Sequence, residues 1–317
     1  MSFTEQVKNE VARIIPERGC CLRAELAALA RVSGSLQIGH HPGTLLLATP
    51  KAVIARTIFK LTKRLGWQAT VTLRHYTRPR CYHVFVVELP VQQGNLSVLR
   101  ELGLVDRKNR IKERLDTRVL DRACCRRVFL RGCFMGSGFI SNPDHSYQLE
   151  FNLNTDEAAR EVVTTLLRFG LAPGLREHNG RYVVYLKEAD QIGEFLRVIG
   201  AVQGVLGYEN SRILKDMRNR VNRLVNCETA NLKKTVDTGL KQVEMIKEIE
   251  ERVGLASLPP KLRELAELRL RHPEASLTEL GRLLGKPVGK SGVNHRMREL
   301  RRIAEQIRNE KKSEVKV

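Results

Sequence analysis

LRAELAALARVSG at residues 22–34 and RRVFLRGCFMGSG at 126–138 are two helix-patterned stretches that start 104 residues apart, and each closes on a glycine, Gly34 and Gly138. A second pair of landmarks keeps the same offset: PKAVIARTIFKLTKRL runs into Gly66, and TDEAAREVVTTLLRF runs into Gly170. β-patterned runs follow each of these helices. They are QATVTLRHY (68–76) and CYHVFVVEL (81–89) in the first half, and PGLREH (173–178) and RYVVYL (181–186) in the second. A last helix closes each half, near 95–102 and 190–199. Both halves read α-β-β-α-β-β-α, so the chain is expected to be an α+β protein with an internal duplication. The repeats span about 22–103 and 126–200, inside a domain over 22–205.

Outward from this core, residues 1–21 form an amphipathic helix with Phe3, Val7, Val11 and Ile14 on one face. The acids in MSFTEQVKNE stand where an export signal needs a basic start, and no apolar run approaches a membrane span, so a cytoplasmic protein without membrane contact is expected. The 317 residues carry 55 Lys+Arg against 35 Asp+Glu, a formal net charge of +20. Such an excess favours a polyanionic partner, above all double-stranded DNA. The charge is concentrated in two places: residues 100–131 hold eleven Lys/Arg against five acids, and residues 254–317 hold fifteen against eight.

Residues 206–257 read as a helical linker, and the Pro pair in GLASLPPK at 254–261 breaks the helical pattern. A three-helix unit follows over 258–310, with a basic tail at 311–317. Its first helix, LPPKLRELAELRLRHP, places Leu262, Leu265, Ala266 and Leu270 on one face. Ser276 and Glu279 form a capping box for the second helix, and Gly285 permits the turn after it. The third helix starts near Ser291, with an apolar stripe of Val293, Met297, Leu300, Ala304 and Ile307. Its other face bears His295, Arg296, Arg298, Arg301 and Arg302. This is the layout of a helix-turn-helix recognition helix. Ser291, Asn294, His295 and Arg298 are expected at base edges, since Asn pairs bidentately with adenine and Arg with guanine. Lys286, Lys290, Arg301 and Arg302 are expected on phosphates.

Within the linker, Asn219, Asn222 and Asn226 recur at i, i+3 and i+7, beside Arg220 and Arg223. Asn is a poor helix former, so this face is either a second DNA surface or a docking surface. Arg74, His75, Arg78, Arg80, Arg176, His178 and Arg181 lie on the expected strands and turns, as a basic face for a duplex or as solvated strand faces. Seven cysteines without a C-x-x-C read as reduced thiols. Two adjacent pairs stand out, Cys20-Cys21 and Cys124-Cys125, but neighbours on a helix point about 100° apart, which is poor for sharing an ion. No metal and no cofactor are expected.

LAALARVSG (26–34) and LRGCFMGSG (130–138) resemble the paired motif helices of LAGLIDADG homing endonucleases, with Ala28 and Gly132 at the small position and Gly34 and Gly138 at the closing glycine. That resemblance implies acids at the sixth and eighth positions of each motif. Arg31 and Ser33 stand there in the first copy, Met135 and Ser137 in the second. None of the four can hold a catalytic Mg²⁺ or activate water, so the scaffold is expected not to cut DNA. With the MSFTEQVKNE opening, RNRVNRLVNCETANLKKT at 218–235 and the helix-turn-helix, the whole chain is similar to the WhiA family. The resemblance implies a non-enzymatic, nucleoid-associated transcriptional regulator tied to cell division, chromosome segregation and, in spore-forming relatives, sporulation. Two alternatives stand beside it: a non-specific nucleoid protein acting through a protein partner on the LAGLIDADG-like domain, and an active DNA endonuclease.

Overall fold

The computed structural model describes residues 1–37, 43–76, 82–91, 96–108 and 110–314, with side chains through residue 309. The chain divides into two units, Met1–Lys215 and Asp216–Val317.

In the first unit, α1 (Phe3–Val11) precedes two copies of one motif. The first copy comprises α2 (Gly19–Ser33), β1 (Gly34–Gln37), β2 (Gly43–Thr49), α3 (Ala52–Arg64), β3 (Thr70–Tyr76), β4 (Tyr82–Val91) and α4 (Ser97–Glu101). The second comprises α5 (Ala123–Ser137), β5 (Gly138–Ile140), β6 (Leu149–Leu153), α6 (Asp156–Leu167), β7 (Gly174–His178), β8 (Arg181–Leu186) and α7 (Ala189–Ile199). Each copy builds one antiparallel four-stranded sheet, in the orders β1-β2-β4-β3 and β5-β6-β8-β7. The expected duplication of an α-β-β-α-β-β-α unit is the observed topology. Gly66 and Gly170 mark it at the backbone: both sit at φ 74°, the left-handed conformation that ends α3 and α6.

The two copies meet along α2 and α5, which pack at backbone distance. A Cβ built on Gly132 would lie 2.7 Å from the Ala28 Cβ and 2.7 Å from the Glu25 carbonyl oxygen. Any side chain there therefore forces the helices apart. Beside this contact, Arg131 reaches the opposite helix and donates two hydrogen bonds to the Glu25 carboxylate, at 2.7 and 2.8 Å. Glu25 is fully buried and Arg131 nearly so, so each charge depends on the other. Burial pushes the Glu25 carboxyl up, against the pull of the guanidinium. A single apolar core runs through both copies, from Leu26, Leu29, Leu47 and Ile58 to Phe129, Phe134, Phe151 and Phe195. Helix α1 closes it with Val7 and Val11, and its Thr4 hydroxyl bridges the backbone of Ile140 at the start of the second sheet.

A continuous helix, α8 (Val202–Val253), leaves the first unit and enters the second. The second unit adds α9 (Pro260–Arg271), α10 (Leu277–Leu283) and α11 (Lys290–Glu314). Pro260 starts α9, where a missing N–H costs no bond. The capping box on α10 forms as expected: Glu279 N–H donates to the Ser276 hydroxyl, and Ser276 N–H to the Glu279 carboxylate. The core here joins Leu262, Leu265, Leu280, Val293, Met297 and Leu300 with Met245, Ile246 and Ile249 of α8, residues expected to belong to a linker. The expected stripe on α9 faces this core, with Leu270 partly buried against it, and Arg269 is buried beside it, at 2% exposure.

Gly132→Val is expected to cost at least about 1–3 kcal/mol, because neither helix backbone can yield without opening the core. Glu25→Ala is expected to cost about 3–5 kcal/mol by stranding the Arg131 charge, whereas replacing Glu25 and Arg131 together by Met recovers most of that loss. Urea unfolding of the full chain followed by circular dichroism measures both.

Candidate nucleic-acid interface

The geometry of α11 follows from its periodicity. Val293, Met297, Leu300 and Ala304 are buried in the unit's core. Ser291, Asn294, His295, Arg298 and Arg302 recur at i, i+3, i+4, i+7 and i+11, which places them together on the face opposite that stripe. Arg301 borders the same face. All are exposed except Asn294, which is half-buried. Lys290 opens the helix, and Lys286 stands exposed in the preceding turn. The residues expected to read bases and those expected to hold phosphates are thus brought to one convex helical surface. Glu299 lies 3.8 Å from the His295 ring and is the acid nearest to that imidazole.

Three contacts outside this face hold it in place. Val288 N–H donates to the Gly281 carbonyl at 2.9 Å, folding the turn back on α10. Gly285 N–H donates to the Glu264 carboxylate at 2.8 Å, tying that turn to α9. Farther along, Arg308 pairs with Glu248 of α8, and the guanidinium hydrogen bond holds that carboxyl below its usual range. The buried Arg269 completes the frame. One guanidinium nitrogen donates to the carbonyls of His272, Pro273 and Ala275, so the turn from α9 into α10 is wrapped around an arginine. Burial lowers its pKa. The signal was present in the sequence, since 262, 265, 266 and 269 follow helical spacing.

On α8, Asn219, Arg220, Asn222, Arg223 and Asn226 are all exposed. Asn219, Asn222, Arg223 and Asn226 share one face. Opposite them runs an apolar stripe of Met217, Val221, Leu224 and Val225, each more than half exposed.

The sheets carry the remaining basic candidates. Arg74 and His75 are neighbours on β3 and therefore face opposite ways, a correction to their reading as one surface. Arg74 lies across from Val84 and reaches along the same sheet face to pair with Glu88 at 3.1 Å, and Arg176 pairs with Glu150 at 2.7 Å on the equivalent face of the second sheet. His178 and Arg181 pair directly across β7 and β8 on that same face. Arg78 and Arg80 lie outside the described residues. An arginine already held by a carboxylate is a weakened phosphate ligand, although exposed pairs of this kind break at little cost.

At the C-terminal ends of α2 and α5, where a nuclease of this fold needs carboxylates, the side chains are otherwise engaged. The Ser33 hydroxyl donates to the Leu29 carbonyl at 2.7 Å and the Ser137 hydroxyl to the Cys133 carbonyl at 3.0 Å. Met135 is buried. Arg31 is bound to Glu161, at 3.2 and 3.3 Å, and to the Glu113 carbonyl. Among the described residues no cluster of metal-ligating carboxylates forms.

Family models match nearly the whole length. A WhiA N-terminal LAGLIDADG-like domain covers residues 19–105, a WhiA LAGLIDADG-like domain covers 126–218, and a WhiA C-terminal HTH domain covers 221–304. The chain is 49% identical to a probable cell division protein WhiA of Heliobacterium modesticaldum, over 96% of each chain. It is 42% identical to the protein of the same description in Alkaliphilus metalliredigens, over 97% of this chain and 99% of that one. Its fold is similar to the crystal structure of full-length DUF199/WhiA from Thermatoga maritima, with a TM-score of 0.59 at 23% identity, covering 96% of this chain and 99% of that one.

Arg269→Met is expected to lower the stability of the second unit by about 1–3 kcal/mol, because three turn carbonyls lose their donor. Arg298→Ala, on the exposed face, is expected to stay within about 0.5 kcal/mol. Thermal melts of the full-length variants distinguish the two.

Proposed function

This chain belongs to the WhiA family, and from that premise we propose that it is a sequence-specific DNA-binding transcriptional regulator acting in cell division and chromosome segregation. The observation that carries the proposal is the face of α11 opposite a buried stripe, where exposed His295, Arg298 and Arg302 stand with half-buried Asn294 and with Arg301 at the border. A helix packed this way enters a major groove with its N-terminal residues at base edges and its flanking cations on phosphates. In this reading Ser291, Asn294, His295 and Arg298 specify sequence. Lys286, Lys290, Arg301 and Arg302 position the helix. The Asn219–Asn226 face of α8 serves as a second contact to DNA or as a docking surface.

The LAGLIDADG-like scaffold acts without catalysis. Ser33 and Ser137 turn back on their own helices, and Arg31, a cation, sits where a metal ligand belongs. The Arg74–Glu88 and Arg176–Glu150 pairs lower the charge its sheets offer to phosphate, which favours a protein partner on this domain. The protein works in the cytoplasm on the nucleoid, and among the described residues no helix is long and apolar enough to cross a membrane.

Selection from fragmented genomic DNA with the full-length protein, with excess competitor and at two salt concentrations, tests this directly. Enrichment of discrete sites that survive competitor is expected. Uniform recovery that vanishes with salt is instead the behaviour of a non-specific nucleoid protein. On a selected site, Arg298→Ala is expected to cost about 1–3 kcal/mol and to relax base preference, while Arg302→Ala weakens all sequences alike. Equal losses on every sequence for both variants overturn the assigned roles.

A further inference from the structure

The opposite end of the α2–α5 pair carries chemistry that DNA binding does not use. Cys20 and Cys21 are the second and third residues of α2, and Cys124 and Cys125 hold the same positions in α5, each matched to its counterpart by the 104-residue offset. Sequence reasoning dispersed them, because neighbours on one helix diverge. The structure brings the two helix starts side by side, so each pair faces the other. All four Sγ atoms lie within 4.8 Å of one another. Cys21 and Cys125 are buried, and Cys20 and Cys124 are half-buried at the mouth of the cluster. Among the described residues this is the one group of three or more metal-ligating side chains.

We propose that these four cysteines form a thiolate site for a single zinc ion, a staple joining the two copies of the duplicated domain. Four thiolates around zinc, with metal–sulfur bonds of about 2.3 Å, place their sulfurs about 3.8 Å apart. The Cys20 and Cys21 sulfurs already stand 4.0 Å apart, so occupancy requires only a small contraction. Four sulfur ligands leave no open position, which makes the site structural. Soft thiolates select zinc over the hard divalent cations.

The surroundings suit the charge. Zinc with four thiolates carries a net charge of −2, and it lies at two helix N-termini, each equivalent to about half a positive charge. Arg18 and Arg122 occupy the N-cap positions, again 104 residues apart, and neither helix start is capped by a side chain. The Cys124 thiol is held below its usual range, first by the Cys21 thiol and also by Arg18. Burial pushes the Cys125 thiol up to about 12 and raises Cys21 as well. Zinc is held by thiolates, so binding releases thiol protons to solvent and affinity falls as pH drops.

The test uses the full-length chain, reduced and stripped of metal, titrated with cobalt(II). The expected result is the visible absorption of tetrahedral thiolate cobalt, saturating at one ion per chain and bleached by zinc, with zinc raising the melting temperature. Cys124→Ser, at the half-buried mouth of the site, is expected to lose the bands, whereas Cys227→Ser on α8 keeps them. Should Cys124→Ser fail to fold, native mass spectrometry of the unsubstituted chain decides: one zinc retained per chain supports the site, and none retained overturns it. Absence of the bands in the reduced chain, or bands unchanged in a folded Cys124→Ser, overturns it equally. So does recovery of Cys21 and Cys125 as a disulfide in the chain as isolated from the cytosol.

Discussion

The missing side chain at Gly132 is the constraint on which the first unit rests. It lets α5 approach α2 until backbone meets Ala28 and the Glu25 carbonyl. Close approach fixes the relative register of the two copies along the whole helix pair. It brings Arg131 within reach of Glu25 across the contact. It sets Ser33 and Ser137 at one end and four cysteines at the other. A looser pair would leave the buried charges solvated and the thiols apart. Packing density at one position thus governs electrostatics and ligand geometry several turns away.

The same helix pair carries the four positions that the nuclease resemblance singles out. The positions at which a metal-dependent enzyme concentrates negative charge hold an arginine, a methionine and two serines. Arg31 is absorbed into the fold through Glu161, whose carboxylate also accepts from the Leu115 N–H. The acid lies on α6, and it neutralises a cation rather than recruiting one. Together Arg31 and Glu161 hold the connecting segment near 113–115.

Much of this was legible from residue order alone. The 104-residue repeat, the capping box at Ser276 and the stripe from Val293 to Ala304 are local patterns, and local geometry realises them directly. What escaped was set by neighbours distant in sequence. The cysteine cluster depends on two helices lying in parallel register, which spacing within one helix does not reveal. The burial of Arg269 depends on three turn carbonyls that need a donor. The contribution of Met245, Ile246 and Ile249 depends on a helix continuing past the point at which its first part has left the other unit. On the sheets, the pairing of Arg74 with Glu88 and of Arg176 with Glu150 required strand register, not composition.

The separation of α2 from its partner also has a consequence for how the protein is made. The surface around Ala28 is complete only when Gly132 arrives, 104 residues later. A ribosome adding about 5–20 residues per second needs roughly 5–20 s to supply that partner. During this interval the first copy exists with the apolar flank of α2 uncovered, whereas the C-terminal helices, built from near-neighbour contacts, close almost as they emerge. The order of synthesis therefore leaves the N-terminal half as the part of this chain most in need of a chaperone.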